Sequence, residues 1–163
     1  MSESLHPETR RLIESHGMQA HPEGGWFVEL FRSDRTVAPD DDRSERAALT
    51  TILFLLDTGY HSGISALHRV RSDEVWHHLA GDPIELVVSP DLESIERIAL
   101  DPEYHVFVVP ADHWQSARTT GNYTLVGCTV GPGFDFVDFE LLRDLPNEQS
   151  ALSHRHPDLT NLI

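Results

Sequence analysis

The stretch GISALHRVRSDEVWHHLAGDPIELVV, residues 63–88, most constrains what this chain can become. It reads as two largely apolar strands joined by a tight turn at Gly81, Asp82 and Pro83. Into those strands it sets His68, Asp73, Glu74, His77 and His78. Ionisable groups are costly inside a sheet core, so strands that carry this many are expected to face a cavity.

Further strands recur along the chain. Trp26 to Phe31 alternates with both faces partly apolar, and residues 48–56 are nearly all apolar or threonine, as in a strand buried on both sides. Short strands are expected over residues 94–100, 105–109, 114–118 and 123–130, divided by turns rich in Gly, Pro and Asp. Over residues 134–141 the apolar phase changes at Phe136 and Val137, which reads as a bulge within one strand. HPEGG, residues 21–25, reads as a turn, and residues 33–46, with Asp40, Asp41 and Asp42 at their centre, as a solvated loop. Helix is confined to the termini. Ser4 can cap a short one that stops at Gly17, and the tail beyond Arg143 carries one or two more, with Leu159, Leu162 and Ile163 packed down. Eight to ten short strands and little helix make an all-β sandwich or barrel with short terminal helices.

Length and charge narrow the function. The 163 residues form a single domain, 1–163. They carry 27 acidic groups against 12 basic ones, all arginine, for a formal net charge of -15. Nucleic acid needs a basic surface, so it is excluded as a partner. A lysine-free acidic surface fits either a GC-rich genome or a high-salt cytoplasm, where screening relieves the repulsion among carboxylates. Cys128 stands alone, so no intrachain disulfide forms. No stretch approaches the roughly 18 apolar residues of a membrane helix. The cytoplasm is the expected compartment.

The residues also resemble a known superfamily. His68, Glu74 and Gly81 fall on the spacing of the first cupin signature, G, five residues, HxH, three or four residues, E, six residues, G, with Val70 in the place of the second histidine. The second signature, PxGxxH, is echoed at residues 110–115, with Asp112 in the glycine place and Gln115 in the histidine place. HPEGGWF at residues 21–27, SDEVWHHLAGDP at 72–83 and YTLVGCTVGPGFDFVDFEL at 123–141 resemble a cupin branch of unassigned function whose members are often labelled predicted sugar epimerases. The resemblance implies the double-stranded β-helix, the cupin jelly roll. It also implies a homodimer, an expectation that light scattering tests.

The same resemblance makes His68 the base of an epimerase-like site, a role that suits a neutral imidazole near pH 7. Glu74 is read as a proton donor, metal ligand or surface acid. Gln115 would offer an amide to a ligand oxygen, or face water. Strict alternation puts Trp76 and His78 on the face of Glu74, whereas a bulge after Glu74 would turn His77 inward, the arrangement that the resemblance favours. Glu29 and Phe139 are cavity candidates by strand position. His105, His113, His154 and His156 are read as surface residues. Two of the four usual cupin metal ligands are replaced by Val70 and Gln115, so no tightly held metal is expected; a weakly held divalent ion at His68 and Glu74 is left open. The leading expectation is a small polar, sugar-like ligand bound and epimerised or isomerised in the barrel. A non-catalytic ligand-binding or sensing protein and a metal-dependent dioxygenase are the alternatives.

Overall fold

The computed structural model describes residues 4–163. The chain opens with helix α1 (Pro7–His16) and then forms β1 (Gln19–Ala20), β2 (Trp26–Arg32), β3 (Thr36–Val37), β4 (Arg46–Ala47) and β5 (Thr50–Asp57). The central stretch supplies β6 (Ile64–Val70), β7 (Asp73–Gly81) and β8 (Ile84–Ser89). After it come β9 (Glu96–Leu100), β10 (Val106–Val109), β11 (Trp114–Thr119), β12 (Tyr123–Gly131) and β13 (Phe139–Leu141), and the chain closes with α2 (Pro146–Arg155) and a 3-10 turn at Pro157–Leu162.

The strands form two antiparallel sheets, one ordered β1-β2-β5-β12-β7-β10 and the other β13-β6-β11-β8-β9, with β3 and β4 as a separate ribbon. This is the mostly β cupin sandwich, with short helices at its termini. Phe54, Leu56, Trp76, Val126 and Cys128 of the first sheet meet Ile84, Leu86, Val88, Leu100 and Ala117 of the second in a dry core. Their alternation along each strand is what turns them inward together. The terminal helices seal the outside: Leu12 of α1 packs on Leu55 and Leu125, while Leu152, Leu159 and Leu162 cover Leu67, Val87 and Trp114. No helix among the described residues is long and apolar enough to cross a membrane.

Three local expectations need correction. His6, not Ser4, caps α1, its Nδ1 accepting from the Glu8 amide. The phase change at Phe136 and Val137 is a 3-10 turn, Phe136–Asp138, that separates β12 from the short β13. The acidic loop is not simply hydrated, because Asp41 pairs with Arg43, and Arg43 and Arg46 both reach the buried Asp138. In each case the deciding contact comes from a side chain that local periodicity does not report.

Candidate functional site

Where the dry core ends, the space between the sheets opens into a cavity of about 240 Å³. Phe27, Ile52, Phe54, Val70, Trp76, Val130 and three aromatic residues of the 134–139 segment form most of its wall. Its polar floor is built from both sheets and from one loop. His68 comes from β6, Glu74 from β7, and His21 and Glu23 from the HPEGG turn.

The turn reaches the cavity because of its two glycines. Gly24 has φ +108° and Gly25 φ +71°, and a Cβ on either would lie 2.5 Å from the Ile64 carbonyl oxygen or 2.7 Å from that of Leu55. Only glycine lets the backbone slip between β5 and β6 this closely. The Ala66 amide then donates to the Glu23 carbonyl at 2.7 Å, and the Ser65 hydroxyl to Glu23 Oε1 at 2.8 Å. Glu23 is thereby fixed beside His68, with Oε2 3.3 Å from His68 Nε2 and 3.4 Å from His21 Nδ1.

The hydrogen bonds set the protonation pattern. His68 Nδ1 lies 2.8 Å from the Ala66 carbonyl oxygen, which can only accept, so Nδ1 carries the hydrogen and Nε2 faces Glu23 bare. Burial lowers the His68 pKa, although Glu74 and the Ala66 bond oppose that shift. Desolvation, with His68 nearby as a smaller contribution, pushes His21 down to about 3. Desolvation likewise lifts Glu23 to about 8, against the Ser65 hydrogen bond, and Glu74 to about 7, against His68 and Gln115. At neutral pH the imidazoles are therefore uncharged, Glu23 holds a proton that it can donate to His68 Nε2, and Glu74 is near its midpoint.

Of the residues expected from the sequence, the fold brings His68, Glu74, Glu29 and Phe139 to the cavity. Phe139 lies against the His68 ring at 5.4 Å between centroids. Glu29 is at the mouth, where both its oxygens accept from Arg32, whose third contact is the Phe134 carbonyl oxygen. His77 and Gln115 are elsewhere. Strand β7 alternates without a break from Glu74 to His78, its register shifting only beyond, so Glu74, Trp76 and His78 turn inward and His77 turns out over Gly127. Gln115 is 2% exposed and stands behind the floor: its Oε1 accepts from Trp76 Nε1 at 2.8 Å and its Nε2 donates to Glu74 Oε2 at 2.6 Å. It orients Glu74 from the far side rather than lining the cavity.

His21 and Glu23 escaped the sequence reading, which took their segment for a turn. The usable signal was two adjacent glycines flanking ionisable residues ahead of an aromatic strand, a composition that suits close approach of backbone to a site.

A cupin fold raises the question of a metal. Val70 contributes a hydrocarbon wall where a second histidine would stand, and the Gln115 amide is committed to Trp76 and Glu74. Among the described residues no group of three or more His, Cys, Asp or Glu side chains converges to hold an ion. The usual donor set does not fit here.

Comparison with known proteins agrees with this architecture. The family described as "Cupin superfamily (DUF985)" matches residues 10–142. A hypothetical protein from Leishmania major superposes with a TM-score of 0.79 at 28% identity, over 94% of this chain and 95% of that one. A Shewanella oneidensis protein gives 0.72 at 31% identity, over 92% and 90%. Oxalate decarboxylase from Bacillus subtilis gives 0.57 at 10% identity, over 88% of this chain and 36% of that one, a likeness of fold alone. No curated protein matches.

Proposed function

From the premise that this chain belongs to the DUF985 family of the cupin superfamily, we propose that it binds a small polar molecule in the barrel cavity and moves a proton on it, as a sugar epimerase or isomerase does. A cavity of about 240 Å³ accommodates a ligand of roughly a dozen non-hydrogen atoms. One observation carries the reading: Glu23 and His68 from one side, and Glu74 from the opposing sheet, meet at the floor of a pocket walled largely by aromatic and aliphatic side chains.

Epimerisation next to a carbonyl needs a base on one face of the ligand and an acid on the other, whereas isomerisation can run with one base, and each group works best with a pKa near the working pH. Glu23 and His68 share one proton between them, and Glu74, held by Gln115, titrates near 7. Either side can therefore take a proton while the other returns one.

The test is solvent exchange. Incubating the protein in deuterium oxide with a panel of aldoses, ketoses and amino sugars should place deuterium at the carbon next to the carbonyl of one class. His68→Asn and Glu74→Gln should each lower that exchange by at least about a hundredfold while the circular dichroism spectrum is unchanged. Exchange that persists in both variants, or ligand binding without any exchange, would overturn the enzymatic reading; the second result leaves a ligand-binding protein.

A further inference from the structure

The cavity is lined by four carboxyls, Glu23, Glu29, Glu74 and Asp135, and by a single guanidinium. That guanidinium, Arg32, is at the mouth and is already engaged by both oxygens of Glu29 and by the Phe134 carbonyl. Deeper in, no cation among the described residues faces Glu23 or Glu74: His21 and His68 are uncharged at neutral pH, and Cys128 keeps its thiol hydrogen. Both carboxyls are more than nine-tenths buried. A buried acid without a counter-ion is costly once ionised, and for Glu74, near its midpoint at neutral pH, no described residue supplies the positive charge that would balance it.

The wall around them has a matching character. Phe27, Phe54, Trp76, Phe134, Phe136 and Phe139 enclose the space, and the faces of aromatic rings attract cations. An anionic ligand would find no free donor of positive charge. A neutral polyol could bond to the carboxyls but would offset none of their charge. The formal net charge of -15 also draws cations toward the molecule from a distance.

We propose that the ligand of this cavity is a compact organic cation, an ammonium or quaternary ammonium group seated among the aromatic rings with Glu74 as its counter-ion. The inference rests on the cavity being a small-molecule site and adds the charge of its occupant.

Choline and 3,3-dimethylbutan-1-ol differ by a charged nitrogen against a carbon of the same shape, so titration calorimetry with each on the whole protein isolates the charge. Choline should bind at least about tenfold more tightly at pH 8, and Glu74→Gln should remove that advantage while leaving the alcohol unchanged. Equal affinities, or a preference for the alcohol, would overturn the cation and leave the cavity reading intact. Deuterium exchange into a neutral sugar without choline binding would do the same. Failure of choline, the alcohol and every compound of the exchange panel would overturn both.

Discussion

Around one segment, residues 134–139, the molecule buries carboxyls on both sides and treats them in opposite ways. Phe134, Phe136 and Phe139 face the cavity, where Glu23 and Glu74 lie without a cation. Between them Asp138 turns the other way, where Arg46 grips both its oxygens at 2.8 and 3.0 Å and Arg43 adds a contact at 3.3 Å. The hydrogen bond from Arg46 leads in holding the Asp138 carboxyl below the usual range, and desolvation leads in raising Glu23 and Glu74 above it. A buried acid whose partners come from the same chain is a clasp. One whose burial is left unanswered is a place for chemistry.

The largest effect should come from breaking the clasp. Asp138→Ala leaves the buried Arg46 without a counter-ion and Arg43 with Asp41 alone, and it releases the aromatic segment over the cavity. A fall of roughly 10 °C in the thermal midpoint is expected at pH 7. A change below about 2 °C would mean that the two clusters are energetically alike and that the contrast drawn here is wrong.

A smaller effect, of opposite sign, should follow from Glu74→Gln. Glu23 and Glu74 keep their protons to higher pH in the folded chain than the ordinary value of 4.5, so the stability they contribute is present below that value and lost as pH rises through about 7 and 8. His21 and His68 run the other way. Their lowered pKa values give stability above 6.5 that is lost as the solution becomes more acid. Between pH 6.5 and 8 the carboxyls act alone. Glu74→Gln should therefore leave the midpoint about unchanged at pH 5.5 and raise it by roughly 3 °C at pH 8.5. Melting curves at the two pH values decide this, and a variant less stable at both would place Glu74 with the clasp.

Salt should do least to either cluster. Molar potassium chloride screens exposed carboxylates but reaches buried groups poorly. If the lysine-free surface is an adaptation to salt, the wild-type midpoint rises by a few degrees, while the differences caused by Asp138→Ala and Glu74→Gln stay constant within about 1 °C. Differences that shrink with salt would show that water and ions enter these sites freely.

Much of the fold was legible because alternation along a strand is local. The inward set Glu74, Trp76 and His78 follows from counting by two along β7, and that unbroken count is what the structure keeps. The bulge that would have turned His77 inward lies instead beyond His78, where β12 slips its register against β7. Gln115 stands out in the sequence only as an amide in a histidine's place, and its direction is not legible there. It stands opposite His68 in the sheet register and spends its amide on Trp76 and Glu74.

What the sequence alone determined is the pattern of strands, turns and terminal helices, together with His68 and Glu74 as groups out of keeping with a dry core. These are properties of neighbours in the chain. Only the tertiary structure decided that the HPEGG turn would bring His21 and Glu23 to that pair, that Gln115 would stand behind Glu74, and that Arg46 would claim Asp138. The contacts concerned join residues 42, 41 and 92 positions apart. A carboxyl's burial and partners depend on which faces of which sheets close over it, and no local pattern carries that information.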